Sequence, residues 1–119
     1  MDSVERRIHE REGEIGPRLI REFLARKEAE DYAGCKPIGY ENRVGWKLYS
    51  TDYFQNERCV WLTSRGELLK RDLARPEVGN WYHYWAFVQW SDIPEHLRSS
   101  LVKALTKDIT VTDLTAPWV

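Results

Sequence analysis

The stretch from Trp81 to Trp90 constrains this chain more than any other. It reads Trp-Tyr-His-Tyr-Trp-Ala-Phe-Val-Gln-Trp, rich in residues that suit a pleated surface. In a strand, successive side chains point to opposite faces. Trp81, His83, Trp85, Phe87 and Gln89 then share one face, and Tyr82, Tyr84, Ala86, Val88 and Trp90 the other. Neither face is polar, so the pattern predicts a central strand covered on both sides. Helices can cover one face; the other needs a different cover.

The preceding residues fit the same sheet. Strands are predicted over Val44–Thr51, Arg58–Ser64 and Glu67–Leu73. Alternation sets Val44, Trp46 and Leu48 against Lys47 and Tyr49 in the first, and Val60 and Leu62 against Cys59 and Trp61 in the second. Arg65-Gly66 marks a tight hairpin, where glycine supplies positive φ. Asp52–Asn56 and Arg75–Asn80 read as loops. A last short strand is expected over 109–112, where Ile109 and Val111 alternate with Thr110 and Thr112.

Helices flank the strands. Ser3 can cap a charged helix from Val4 to about Glu12 that is short of apolar residues. Gly13 and Gly16-Pro17 interrupt it, and Pro17 suits the first turn of a second helix reaching about Asp31. Leu19, Ile20, Phe23 and Leu24 give that helix an apolar face, and Gly34 ends the segment. A third helix should start at Asp92, with Glu95 completing a capping box and Ile93, Leu97, Leu101, Ala104 and Leu105 forming its stripe. Segregated helices and short strand connections predict an α+β fold: a curved antiparallel sheet of four to five strands. The N-terminal helices and one C-terminal helix would pack on one face. The 119 residues suit a single domain, with residues 1–15 a charged helix that is solvated or packs only when a partner arrives and 114–119 a tail.

Composition narrows the function classes. Eighteen Lys and Arg against nineteen Asp and Glu leave a net charge of −1, which disfavours a strongly basic nucleic-acid binder. No apolar run is long enough for a membrane span, and the charged N-terminus lacks the apolar core of a signal peptide. Cys35 and Cys59 show neither Cys-x-x-Cys spacing nor a nearby His pair, so no zinc site is expected, and reduced thiols in the cytoplasm are. The glycines form no phosphate-cradling run, so no cofactor is expected.

Several residues could carry chemistry. His83 is a candidate base if Cys59 or Glu57 lies beside it, or else a half-buried imidazole bonded to its surroundings. Cys59 in a strand beside Trp61 lacks the electropositive setting of a reactive thiol. Asp52, Glu57 and Glu67 have no spacing that fixes a catalytic pair, and Glu67, just after a turn, reads as solvated. The run Leu62-Thr63-Ser64-Arg65-Gly66-Glu67-Leu68 resembles the wing hairpin of winged-helix DNA-binding proteins. It lacks the recognition helix that should precede a wing, so an ordinary hairpin is the better reading. Arg58, Arg65, Lys70, Arg71 and Arg75 outnumber Glu67 and Asp72 locally, which allows a single-strand nucleic-acid platform as an alternative.

The aromatic surplus points elsewhere. Six Trp, six Tyr and three Phe make up 13% of the chain, more rings than three modest helices readily cover. Tyr, Trp and Arg dominate binding hot spots. The expected function is therefore binding: a small interaction or inhibitor protein that presents an aromatic sheet face to a protein partner or to a second copy of itself. The candidate surface is Trp46, Tyr49, Trp61, Trp81, His83 and Trp85, with Arg58 and Arg71 at its rim. A small-molecule pocket lined by the Trp81–Trp90 strand is the other alternative.

Overall fold

A computed structural model of the chain describes residues 3–51, 57–74 and 76–113, with side chains from residue 15 onward. Helix α1 (Ser3–Ala29) leads into β1 (Lys36–Pro37), β2 (Val44–Ser50), β3 (Cys59–Thr63), β4 (Leu68–Ala74) and β5 (Tyr82–Val88). A short 3-10 turn (Trp90–Asp92), helix α2 (Glu95–Lys107) and β6 (Val111–Thr112) follow. The class is α+β, as the order of elements predicts. The strands form an open antiparallel sheet in the order β1-β2-β3-β4-β5, and β6 adds in parallel beside Tyr49 and Ser50 of β2. The predicted loop at Asp52–Asn56, the connection at Arg75 and the tail at 114–119 lie outside the described residues.

The helices pack on one face. Phe23 of α1 and Leu97, Leu101, Ala104 and Leu105 of α2 meet Trp46, Leu48, Tyr49, Val60, Leu62 and Leu68 of the sheet in one buried cluster. The Trp46 indole N–H donates to the Ala33 carbonyl at 2.9 Å, which satisfies the one polar atom of a ring otherwise buried against Phe23. At the helix C-termini, Arg26 donates to the Leu105 carbonyl at 2.6 Å, and the buried Lys27 ammonium pairs with Asp108, the left-handed C-cap of α2. These cations meet the carbonyl-rich end of α2, where positive charge is favourable.

Four local expectations are corrected. The two N-terminal helices are one: α1 runs through Pro17 without ending. Proline costs the helix one N–H there, yet Gly16 seats the segment on the Trp90 ring, and that packing outweighs the local break. The capping box does not form: Asp92 belongs to the 3-10 turn, Pro94 is the N-cap, and among the described residues no side chain caps α2. Ile93 stays extended so that it can be buried, which displaces Asp92 from the cap position. Tyr49 does not share a face with Lys47. The pairing of β2 with β3 slips between Lys47 and Tyr49, and this bulge sends both Leu48 and Tyr49 into the helix-side core. Finally, the aromatic strand is not central: among the described residues β5 pairs with β4 alone and forms one edge of the sheet.

The second sheet face has a cover that the sequence left open. The segment after β1 turns through Gly39, Glu41 and Asn42, all at positive φ, and folds back over the sheet. It places Ile38 and Tyr40 against Cys59, Trp61, Leu69 and Trp85, a smaller core on the face opposite the helices.

Candidate functional site

The face away from the helices carries a row of rings, each beside a cation. Lys47 lies over Trp61 at 5.4 Å, Arg71 over Trp85 at 6.0 Å and Arg43 over Phe87 at 5.2 Å. Strand register builds this row, because Lys47, Trp61, Leu69 and Phe87 are cross-strand neighbours, as are Ser50, Cys59, Arg71 and Trp85. Tyr40 stacks on Trp85 at 5.8 Å and meets Phe87 edge-on at 5.9 Å.

Most of the cations are neutralised within the chain. Lys47 bonds both oxygens of Glu57 at 3.1 Å, and Ser50 donates to the same carboxylate at 3.0 Å. Burial pushes the Glu57 carboxyl upward, but the bonds from Lys47, Ser50 and Cys59 prevail and hold it below the usual range. Arg43 pairs with Glu67 at 3.1 Å and Glu41 at 3.5 Å. Glu67 keeps a side chain 32% exposed yet is fixed by these bonds, and it also accepts a bond from the Thr63 hydroxyl at 3.0 Å. On the helix side of the sheet, Arg58 pairs with Asp72 at 3.4 Å. Arg71, itself half-buried, differs: among the described residues no carboxylate meets its guanidinium, which lies over Trp85 at 6.0 Å.

The eight candidate surface residues thus divide. Trp61, Arg71, His83 and Trp85 gather on the face away from the helices. Trp81 stands exposed just before β5. Trp46 and Tyr49 lie in the helix-side core, and Arg58 is on the helix-side face of the sheet. Sequence reasoning missed Tyr40, Arg43 and Lys47 as parts of the site. Phe87 was legible from its alternation with Trp85, whereas Tyr40 and Arg43 arrive through a fold-back that no periodicity signals.

His83 pairs with Leu73 in the ladder, two strands from Cys59, and Arg71 lies on the strand between them. Burial first, then the Arg71 cation, lowers its pKa below the usual value, and its Nε2 is buried without a hydrogen-bond partner among the described residues. Cys59 is buried, and desolvation and then the Glu57 charge push its thiol up to about 12. The two groups do not form a nucleophile–base pair. Both cysteines are free, and no metal-sized group of His, Cys, Asp or Glu side chains occurs among the described residues. No helix among them is long and apolar enough to cross a membrane.

Four of the seven exposed large apolar side chains among the described residues lie at one edge, while Tyr32, Val44 and Ile109 lie elsewhere. Val78, Trp81, Tyr82 and Phe87 all belong to β5 or its approach, and Trp81 is 57% exposed. A groove of about 700 Å³ between α1 and the β3–β4 hairpin continues this edge at Phe87, Val88 and Gln89. The two sheet edges are built differently. β1 is two residues long, Lys and Pro, which are residues that block strand addition. β5 is seven residues long and contains neither Pro nor a residue of fixed charge.

Fold and site together define an α+β chain with one guarded and one unguarded sheet edge. Compared with protein-family models, with curated proteins and with solved structures, the chain matches none.

Proposed function

We propose that this chain is a protein-binding module that receives an extended segment of its partner along β5. The observation that carries the reading is the unguarded aromatic edge itself. A strand with open backbone groups and no gatekeeper is a template for another strand. Added strands gain affinity from main-chain hydrogen bonds and specificity from alternate side chains. Trp81, Tyr82 and Phe87 would supply desolvated contact at that edge, and the row of Trp61, Arg71 and Trp85 lies beside it. The reading keeps the protein partner expected from the sequence and shifts the contact from the sheet face to its border.

A nucleic-acid platform has less support, because Lys47, Arg43 and Arg58 already have carboxylate partners. A small-molecule site has less support too: the pocket of about 360 Å³ near Trp46 and Lys36 is not lined by the Trp81–Trp90 strand expected to form it, and two of its lysines, Lys27 and Lys47, are likewise paired.

Amide hydrogen exchange tests the reading. Random linear peptides displayed on phage are selected against the full chain, and exchange is followed with a selected peptide bound. Slowed exchange in β5 is the expected result. Protection confined to α1 or β1, or undiminished binding by a peptide N-methylated at alternate amides in both registers, refutes the edge assignment.

A further inference from the structure

We infer that the segment received at β5 is acidic, with an Asp or Glu side chain that meets Arg71 on the face away from the helices. The inference rests on the edge reading above and adds the chemistry of the occupant.

Arg71 belongs to β4 and is the cross-strand partner of Trp85. Its guanidinium carbon stands 6.0 Å from the centre of the Trp85 ring, so the charge lies beside a side chain of the edge strand. A strand added to β5 would lie about 4.8 Å further out. A carboxylate opposite Trp85 is then within reach of the guanidinium.

Energetics favour such a residue. An added strand strips water from Arg71, and a charge desolvated without a partner costs far more than a paired one. The neighbouring cations of this face cannot be the anchor, since Lys47 holds Glu57 and Arg43 holds Glu67. No carboxylate among the described residues meets Arg71, and a carboxylate on the partner would supply that counter-charge.

The same argument disfavours a second copy in this position. β5 contains no Asp or Glu, so two β5 strands paired about a two-fold axis would bring Arg71 no counter-charge. His83, next along the same face, adds none, since an imidazole is either neutral or cationic.

The test uses the peptides selected by display. The expected result is one fixed acidic position flanked at alternate sites by apolar or aromatic residues. Replacing that carboxylate by its amide should weaken binding about ten- to a hundredfold. In Arg71→Gln the acid and amide peptides should bind alike, and in Arg71→Glu a lysine at that position should be preferred. Selected peptides without an acidic position, an amide that binds as well as the acid, an acid preference that survives Arg71→Gln, or no recovered peptide each overturns the inference. Should Arg71→Gln fold poorly, the acid and amide peptides on the unaltered chain still decide it. Charge-blind binding that nevertheless protects β5 refutes the acidic occupant alone, whereas loss of β5 protection refutes the edge reading beneath it.

Discussion

Gly16 of α1 lies against the face of the Trp90 indole, so close that a methyl group at residue 16 would overlap the ring carbons Cγ, Cδ2 and Cε2. Helix propensity alone says that Gly→Ala stabilises a helix interior by about 1 kcal/mol. Here the sign reverses. Gly16→Ala should cost about 1–3 kcal/mol, the usual penalty for overfilling a packed site, read as a lower urea midpoint. A raised midpoint would show that α1 does not sit on Trp90.

The tryptophans differ in what they support. Trp46 is buried on the helix side with its N–H bonded to Ala33, and Trp46→Ala should cost about 3–5 kcal/mol. Trp85 sits half-buried in the smaller cluster, so Trp85→Ala should cost only about 1–3 kcal/mol and leave a cooperative unfolding transition. Peptide binding should fall all the same. An unfolded Trp85→Ala chain would assign that ring to the core.

Cys59 makes an alkaline prediction. Its thiol is held up at about 12 by burial and then by Glu57, against 9.0 in the absence of these effects. The folded chain keeps the proton that the unfolded chain gives up, so this contribution is full below about pH 9 and is lost as pH rises towards 12. Denaturant midpoints of the parent should fall more steeply above pH 9 than those of Cys59→Ala. In the native state near pH 7, Cys59 should resist iodoacetamide and react only on unfolding.

On the acid side, two groups act in succession. His83 has a lowered pKa, so its contribution is complete above 6.5 and declines as pH falls through the depressed value. Glu67 is held below 4.5 chiefly by its bond from Arg43, so its contribution is present above 4.5 and declines below. Arg43→Ala should flatten the second decline and leave the first. In an NMR titration, Arg71→Gln should raise the His83 pKa while leaving it below the ordinary value, because burial is the larger cause.

At the joined helix ends, Lys27 is 5% exposed and pairs with Asp108 and Glu30. Lys27→Ala should cost about 1–3 kcal/mol through the lost bonds, the lost contact of its ammonium with the Phe23 ring and the lost packing of its buried stem. Lys27→Met, which keeps the stem, should cost less. Thermal unfolding at low and moderate salt measures both, and equal losses would assign the whole effect to charge.

Hydrophobic periodicity by itself determined the α+β class, the four long strands, the apolar stripe of α2 and the two faces of β5. Each of these is a local regularity, written in consecutive residues by the period of the element that contains them. The alternation of Val60 and Leu62 against Cys59 and Trp61 holds in the fold because no bulge interrupts β3. Tyr49 escaped the same rule because one extra residue at Leu48 resets the alternation, and only the strand opposite reveals it. Tertiary structure alone decided that β5 is an edge, that Tyr40 and Arg43 fold over Trp85 and Phe87, and that no carboxylate among the described residues meets Arg71. Those are long-range facts. Strand order and charge pairing depend on which distant segments meet, and two chains with identical local patterns can differ in both.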